Sequence, residues 1–416
     1  MNRNHLEETR HGEPVHADGD VSTRPERRTL GRRRFLRMAG LGAGTVALAG
    51  AGSLTWRAVQ EGVFATGIGP AYAAWDQWHP PGHDVLNLVR AAVLAASAHN
   101  TQPWLFRAGR DRIDLYADFE RGMGSMDPLR REMYLSLGCA LENLVLAGPP
   151  NGARPTVALM PDPAQPALVA RVALETAPAT RSPLYSAIPH RRTNRGAYDT
   201  GRPLAADARE ALTGLLDVDT ARLVWFTTGV DRHAFGELTV RATQEIIDDP
   251  RQAIDDFSWY RTSWQQIQQT MDGITIDASG QPPLIRAAAK LLGTSLGQNH
   301  DGWLRATRDA HVATAAAFGL LAVRDPLDAV QRIQTGRIWQ RMHLWATTRG
   351  LAMQPLNQVL ERIDRERSTE LSPQVTDAMA GMLPTGWQPV MAFRIGYPTI
   401  DALPSPRRPA EQVRLP

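Results

Sequence analysis

The sequence predicts an α+β protein made of two halves, in which mixed antiparallel sheets are flanked by helices. Segments with a helical period alternate with short apolar segments of strand period between residues 84 and 175, and the same mixture returns after residue 188. A polar, proline-bearing joint, Pro178–Pro183, separates the two series. We therefore divide the chain into a leader (1–73), a first half (74–180) and a second half (181–416).

The first half opens with a predicted helix from Asp84, which ends at a polar loop, Ser97–Trp104. A hairpin follows, and then a long helix with Asp127 as its N-cap, Pro128 in its first turn and Gly148 as its stop. The predicted strands are Trp104–Arg107, Ile113–Ala117, Thr156–Met160 and Leu168–Leu174.

The second half shows weaker patterns. Residues 255–305 are aromatic, rich in Gln and irregular, which indicates an insertion or a lid. The apolar run His311–Val323 fits either a strand or a buried helix. The other predicted elements are helices near 205–215, His233–Ile247 and Thr335–Arg349, and strands Leu223–Thr227 and Pro389–Ile395, before a Pro-rich basic tail at 404–416.

Composition excludes some classes of function. The formal net charge of +3 comes from the leader, since residues 74–416 contain 36 basic and 36 acidic residues. The main body therefore has no electrostatic attraction for nucleic acid. The single cysteine, Cys139, allows no intrachain disulfide and no Cys-based zinc site, and we expect a buried, inert thiol.

The leader has the layout of a twin-arginine export signal. A polar segment that we expect to be disordered (1–31) precedes Arg32-Arg33-Arg34-Phe35-Leu36-Arg37, and a weakly hydrophobic, uncharged stretch follows at 38–56. Ala71-Tyr72-Ala73 offers a cleavage site, although 38–56 is also just long enough to be an uncleaved membrane anchor. The sequence thus predicts a partner, the twin-arginine machinery, and a periplasmic or other extracytoplasmic location. That route carries folded proteins.

Two polar motifs stand out in the body. The first, Ala96-Ser97-Ala98-His99-Asn100-Thr101-Gln102-Pro103-Trp104, presents hydroxyl and amide groups suited to a heteroaromatic ring. A plain helix C-terminal turn with Asn100 in the left-handed conformation is the alternative. The second, Arg191-Arg192-Thr193-Asn194-Arg195, groups three guanidiniums around a hydroxyl and suits a phosphate dianion. A solvated surface turn is its alternative.

These motifs and their order resemble the nitroreductase family, in particular its exported, fused branch known from mycobacteria. The first resembles the family's P-S-S-x-N-x-Q-P-W loop, with Ala96 and Ala98 in place of Pro and the second Ser. The second resembles the R-R-S-x-R motif that grips the phosphate of flavin mononucleotide (FMN). Gly350–Leu356 resembles the segment that runs along the flavin, and Gly396-Tyr397-Pro398 with Arg407 and Arg408 resembles the last strand and its terminal basic residues. A helix cap at Gly350 and a disordered tail are the plain alternatives.

The resemblance implies a cofactor, FMN, and a set of cofactor-binding residues. These are Ser97, His99, Asn100, Gln102, Arg191, Arg192, Thr193, Arg195, Gln354, Pro355, Leu356, Arg407 and Arg408. For His99 a structural role is at least as plausible as ligand contact.

The placement of the motifs implies a monomer that mimics a dimer. In the family each site takes the amide loop from one subunit and the Arg motif from the other, and here the two motifs fall in different halves. No second Arg motif precedes residue 97 and no second Q-P-W occurs near Trp225. The chain therefore retains one composite site of an intrachain pseudo-dimer.

The family's chemistry implies electron transfer through the flavin from NAD(P)H to a nitroaromatic, a quinone or a similar acceptor, and no side chain is nominated as catalytic. The rival interpretation is a protein that stores or sequesters FMN beneath the lid, because nicotinamides are scarce outside the cytoplasm. A hydrolase or a metalloenzyme finds little support, since the chain has no H-E-x-x-H motif.

Overall fold

Two four-stranded antiparallel sheets form the framework of the protein in a computed structural model, which describes residues 55–80 and 84–416. The first sheet has the order β1-β2-β4-β3 and the second the order β5-β8-β10-β9. The strands of the first sheet are β1 (Trp104–Ala108), β2 (Arg112–Ala117), β3 (Ala153–Leu159) and β4 (Leu168–Thr176). Those of the second are β5 (Ala221–Phe226), β8 (Ala317–Val323), β9 (Ala352–Pro355) and β10 (Gln388–Gly396). A short parallel pair, β6 (Tyr260–Arg261) and β7 (Ile274–Thr275), lies apart from both.

Helices surround the two sheets. The α-helices of the first half are α1 (Ala73–Asp76), α2 (Leu86–Ala92) and α3 (Arg131–Ala147). Those of the second are α4 (Pro183–Ala187), α5 (Ala206–Thr213), α6 (Gly229–Asp248), α7 (Pro250–Phe257), α8 (Trp264–Thr270), α9 (Pro283–Leu292), α10 (Leu296–Ala306), α11 (Ala329–Thr348), α12 (Gln358–Thr369) and α13 (Gln374–Ala380). The expected class, α+β with antiparallel sheets flanked by helices, is confirmed.

The long helices α3 and α11 pack directly against each other and join the two halves. At their crossing, a Cβ added to Gly138 would lie 2.1 Å from the carbonyl oxygen of Ile333, and one added to Gly336 would lie 2.1 Å from that of Leu135. The Cys139 thiol donates to the carbonyl of Gly336 at 3.3 Å. Only glycine permits so close an approach of two backbones. The largest apolar cluster surrounds this crossing and includes residues of both sheets.

Burial raises the pKa of the Cys139 thiol to about 12. The thiol is therefore uncharged and has the inert character that the sequence predicts.

Several predicted boundaries need correction. The long helix of the first half begins at Arg131 rather than Asp127, because Arg130 has a left-handed backbone. Asp127 still caps it, since its carboxylate accepts the N–H groups of Glu132 and Met133 at 3.0 and 2.9 Å. The helix predicted at Thr335 begins earlier, at Ala329.

The segment 255–305 is helical rather than irregular. It contains the end of α7 and the helices α8, α9 and α10. The run His311–Val323 was expected to be a strand or a buried helix, and it contains a part of each. Its start belongs to a π-helical turn, Thr307–Val312, and its end forms strand β8. The pattern did not predict β9, α12 or α13.

The basic tail is ordered against the first sheet. Phe106 donates to the carbonyl of Val413 at 2.8 Å, and Leu415 donates to the carbonyl of Phe106 at 2.7 Å. The tail thus forms backbone hydrogen bonds with β1, and the alternative of a disordered tail is wrong.

The end of the leader is also part of the folded body. Ala71 and Tyr72 are buried, and Arg407 donates to the carbonyl of Ala71 at 2.7 Å. The export motif at Arg32–Arg37 and nearly all of the stretch 38–56 lie outside the described residues. Within 55–80 and 84–416, no helix has both the length and the apolar character needed to cross a membrane.

Candidate functional site

A cavity of about 740 Å³ lies where the sequence motifs meet. Six of the thirteen predicted site residues line it: Ser97, His99, Thr193, Arg195, Gln354 and Pro355. The amide loop of the first half and the Arg motif of the second therefore face one cavity, although they are almost a hundred residues apart in the chain. Segments from α3, α7, α10, α11 and α12 complete its wall.

The amide loop is held in an unfavourable backbone conformation. His99, Asn100 and Gln102 all have positive φ angles, of 45°, 56° and 52°. Such a conformation costs a non-glycine residue roughly 1–2 kcal/mol, so other contacts must hold the loop in place. A bond from the Gln102 backbone N–H to the Ser97 hydroxyl, at 3.1 Å, closes the loop.

The Asn100 and Gln102 side chains supply those contacts and do not line the cavity. The Asn100 amide donates to the carbonyls of Gly273 and Pro406 at 3.1 and 2.9 Å. Gln102 donates to the carbonyl of Met271 at 2.9 Å and accepts the backbone N–H of Arg408 at 2.8 Å. Both amides thus fix the loop to the insertion and the tail, and their predicted contact with a flavin stays a prediction. The alternative for Asn100, a left-handed turn residue, matches its observed backbone.

Behind the cavity wall, three arginines form a cationic cluster, in which Arg191 and Arg407 are buried and Arg192 is half-buried. Arg191 donates to the carbonyl of Leu94 at 3.3 Å and Arg407 to that of Ala95 at 3.2 Å, next to the cavity-lining Ala96. The Trp75 ring centroid lies 3.7 Å from the guanidinium carbon of Arg192 and 4.9 Å from that of Arg407. These side chains adjoin the cavity without lining it.

The cationic cluster contains more buried charge than its partners compensate. Burial lowers the pKa of Arg191 to about 10. Burial and repulsion from Arg191 lower the pKa of Arg192 to about 9, although attraction from Asp76 opposes this shift. Burial and repulsion from Arg191 and Arg192 hold the pKa of Arg407 well below its usual value. The hydrogen bonds of all three guanidiniums go to neutral groups, and the Nε atoms of Arg191 and Arg407 are buried without a hydrogen-bond partner among the described residues. Because Arg keeps its proton in proteins, such a cluster is poised to bind an anion.

His343 neighbours this cluster and adds no charge to it. Its Nδ1 lies 3.5 Å from a guanidinium nitrogen of Arg191, and its Nε2 lies 3.0 Å from the carbonyl oxygen of Arg192. Burial and the Arg191 charge hold the pKa of His343 well below its usual value. The imidazole is therefore neutral and positions both arginines.

The remaining predicted residues have distinct environments. Arg195 reaches the cavity and donates to the carbonyl of Ala278 at 3.2 Å, and burial lowers its pKa. Gln354 lies on β9 and accepts from the buried Arg394 at 2.7 Å. Leu356 is buried outside the cavity, and Arg408 donates to the Gln102 carbonyl at 3.3 Å.

Several cavity residues carry no sequence signal of their own. Asp256 and Tyr260 come from the insertion, and Glu361 comes from α12, which the pattern did not predict. Burial raises the pKa of Glu361 well above its usual value, and repulsion from Glu132 adds to the effect. These groups reach the cavity only through tertiary folding. Within the described part of the chain, no three His, Cys, Asp or Glu side chains are placed to hold a metal ion.

The fold and the site together define a class: an α+β chain whose two halves share a cavity beside an uncompensated cationic cluster. Comparison with known sequences confirms the resemblance to the nitroreductase family. The chain is 28% identical over 362 residues to a Mycobacterium tuberculosis protein (strain H37Rv) provisionally named an NAD(P)H nitroreductase, with 83% of this chain and 95% of the relative covered. An uncharacterized protein of the same strain is 25% identical over 347 residues, covering 79% and 91%. No family model matches the chain.

Solved nitroreductase structures align with about half of the chain. An FMN-dependent nitroreductase from Mycobacterium smegmatis in complex with NADPH is 16% identical with a TM-score of 0.35, covering 55% of this chain and 96% of that one. A nitroreductase with bound FMN from Bacteroides fragilis is 16% identical with a TM-score of 0.32, covering 54% and 93%.

Proposed function

We propose that this protein is an FMN-dependent oxidoreductase that takes hydride from NAD(P)H and passes electrons to a flat acceptor such as a quinone or a nitroaromatic compound. The observation that carries the proposal is the uncompensated cationic cluster beside a cavity that both sequence motifs line. The sequence relative named for NAD(P)H nitroreduction supports the same activity.

The residues present fit the cofactor. The cavity volume lies within the range of roughly 300–1,000 Å³ that is typical of cofactor sites. A phosphate dianion at the part of the wall nearest Arg191, Arg192 and Arg407 would be stabilised by their charge without direct contact, because these side chains adjoin the cavity and do not line it. Thr193 and Arg195 would hold the adjoining polar chain. Ser97, Gln354 and Pro355 would contact the ring.

When bound, FMN supplies the two-electron chemistry, and the protein supplies position, charge and exclusion of water. The strained amide loop places Ser97 and His99 on the cavity surface. Helix α10 of the insertion contributes Trp303 and Gln298 to the cavity wall. With FMN in place, the cavity would admit donor and acceptor in turn, which predicts ping-pong kinetics.

The site is a composite of the two halves, as in an intrachain pseudo-dimer. Ser97 and His99 belong to the first half, and Thr193, Arg195 and Gln354 to the second. The crossing of α3 and α11 holds the two contributions in register.

The second candidate is a non-catalytic protein that binds or sequesters FMN. The insertion favours it, since α9 and α10 supply Ile285, Ala289, Gln298 and Trp303 to the wall and cover one side of the cavity. A tightly covered ring would exclude the nicotinamide.

Three measurements separate these functions. The first is the visible spectrum of the purified protein, which we expect to show FMN. The second is its anaerobic reduction by NADPH followed by reoxidation with 1,4-benzoquinone. Bleaching with turnover supports the oxidoreductase, a yellow but inert protein supports sequestration, and a protein that binds no FMN contradicts both.

The third measurement is FMN affinity after Arg191→Met. Arg191 has no ion pair to lose among the described residues, so this variant should fold. Loss of the attraction between this charge and the phosphate, about 2 kcal/mol, should weaken FMN binding roughly 30-fold. Arg110→Gln, at the exposed turn of the first hairpin, is the control and should leave the affinity unchanged.

We also propose export by the twin-arginine pathway to the periplasm or another extracytoplasmic compartment, with 38–56 as either a cleaved signal or a membrane anchor. The support is the Arg32–Leu36 motif followed by the weakly hydrophobic stretch. Replacing Arg32, Arg33 and Arg34 with Lys should retain the protein in the cytoplasm.

A further inference from the structure

A histidine–aspartate pair faces the cavity from two separate segments. His99 lies on the amide loop, and Asp256 lies on α7 at the start of the insertion. The His99 Nε2 atom is 2.7 Å from Asp256 Oδ1, and both residues line the cavity. The Asp256 side chain is only 1% exposed.

The hydrogen bonding fixes which ring nitrogen is available. Desolvation opposes ionisation of Asp256, but the nearby His300 and the hydrogen bond with His99 outweigh that effect, so its pKa lies below the usual value. The ionised carboxylate accepts the Nε2–H of His99. The opposite nitrogen, Nδ1, has no hydrogen-bond partner among the described residues, and it belongs to a side chain on the cavity wall.

His99 has an unfavourable backbone conformation in the position that puts its side chain on the cavity wall. His99 has φ 45° and ψ 18° within a short turn, a conformation that L-residues seldom adopt. The bonds of Asn100 and Gln102 to the insertion and the tail maintain it. Strain of this kind is retained where it serves a site.

We propose that His99 is the proton donor to the acceptor in this cavity and that Asp256 is the residue that positions and charges it. The inference rests on the proposed oxidoreductase function and adds a catalytic role for which the motifs gave no indication. The insertion then does more than cover the cavity, because it provides the carboxylate of Asp256.

The step balances with a quinone as acceptor. The quinone receives a hydride, which carries two electrons and one proton and comes originally from NAD(P)H, and becomes a hydroquinone monoanion. The imidazolium of His99 transfers its Nδ1 proton to the anionic oxygen, which gives neutral hydroquinone and neutral imidazole. His99 then regains a proton from solvent, and the Asp256 carboxylate stabilises the imidazolium.

Other charged and titratable groups surround the pair. His300 on α10 lies 3.7 Å from the second oxygen of Asp256, and Tyr260 and Glu361 line the cavity nearby. Arg195 reaches the cavity from the Arg motif. His300 is therefore a second imidazole close to Asp256, and the test includes it.

The decisive experiment separates the two half-reactions by anaerobic stopped flow. In His99→Gln, reduction by NADPH should stay within threefold of wild type, while reoxidation by 1,4-benzoquinone should fall at least about 100-fold. Wild-type reoxidation should slow as the pH rises and the proton donor is lost, and His99→Gln should lose that dependence. In Asp256→Asn the decline should move to lower pH by at least about one unit, because the imidazolium loses its counter-charge.

Two variants serve as controls. His233→Gln removes an exposed imidazole on α6 and should leave both half-reactions and both pH profiles unchanged. His300→Gln should keep most of the reoxidation rate, because His300 does not line the cavity.

A readout independent of turnover uses the protein without FMN. Long-range ¹H–¹⁵N spectra of histidine-labelled protein should show neutral His99 as the Nε2–H tautomer, as its bond to Asp256 requires. If His99→Gln reoxidises within threefold of wild type with an unchanged pH profile, the proton-donor role is wrong although the proposed function stands. Equal losses in both half-reactions would assign His99 a purely structural role. A wild-type protein that NADPH cannot reduce would overturn the proposed function, and this inference with it.

Discussion

Polar side chains that the sequence marks as ligand-binding divide into two groups in the structure. Thr193 and Arg195 face the cavity, whereas Asn100 and Gln102 face away and hold the backbone. Residue type and spacing place all four near one site, but the direction of each side chain depends on backbone angles that the motif does not reveal. The positive φ angles of the amide loop are set by contacts with residues 271–273 and 406–408, far away in the sequence.

Glu361 gives a prediction about stability at the residue scale. Its carboxyl group is buried on the cavity wall, and burial raises its pKa well above the usual 4.5, with repulsion from Glu132 adding to the effect. Above pH 4.5 the unfolded chain loses this proton while the folded protein keeps it. The free energy of unfolding therefore falls as the pH rises toward the folded-state pKa, by up to about 1.4 kcal/mol for each pH unit.

Glu361→Gln should remove this fall in the free energy of unfolding with rising pH. The variant should gain stability relative to wild type as the pH rises from 5 to 8, as measured by urea unfolding at each pH. Glu210→Gln, which alters an exposed residue of α5, should show no such trend. A difference between Glu361→Gln and wild type that does not change with pH would show that the folded carboxyl ionises normally.

At the element scale, the sequence predicts regular, well-patterned elements correctly and misses those that depend on tertiary contacts. The hairpin of β1 and β2 has alternating side chains and a turn at Gly109–Asp111, and both strands lie within a residue of their predicted ends. β9 has four residues and is stabilised by pairing with β10, which no local pattern reveals. The sequence pattern of 255–305 looks irregular although the segment is helical, because its helices are short and separated by glycine and proline turns.

The α3–α11 crossing gives a prediction at this scale. In Gly336→Ala the new methyl group would meet the backbone of Leu135, and in Gly138→Ala that of Ile333. The backbone cannot move aside as a flexible side chain can. Each substitution should therefore lower the free energy of unfolding by about 1–3 kcal/mol or more. Urea unfolding measures the loss.

Gly302→Ala is the matched control. Gly302 lies within α10, and a Cβ there would meet nothing within 4 Å. Because alanine restricts the unfolded chain, this variant should be neutral or more stable by up to about 1 kcal/mol. If Gly336→Ala unfolded at the same urea concentration as Gly302→Ala, the helices would not be in close contact.

At the scale of the whole molecule, the residues around position 71 pack against the body of the protein. Lys290 donates to the carbonyl of Gly62 at 3.1 Å, and Ala71 donates to the Gln268 side chain at 3.0 Å. The residues that follow carry Trp75 onto the cationic cluster. The small-residue pattern Ala71-Tyr72-Ala73 thus has a second explanation, since close packing also selects small side chains.

This arrangement predicts that a chain beginning at Ala74 is less stable than one beginning at Thr55. Removal of residues 55–73 takes away the buried Ala71 and Tyr72 and the bonds that they and Gly62 make to the insertion and the tail. Burial of one large side chain contributes about 1.5–3 kcal/mol, so the combined loss should be at least about 3 kcal/mol. Urea unfolding of the two chains measures it.

The same contacts predict what becomes of the cleavage site. A peptidase needs an extended, accessible segment, whereas Ala73 begins α1 and its two predecessors are buried. If the protein folds before export, cleavage after Ala73 is blocked, and the mass of the exported protein should include residues 55–73. A mature N-terminus at Ala74 on a protein as stable as the longer chain would show that these residues do not belong to the fold.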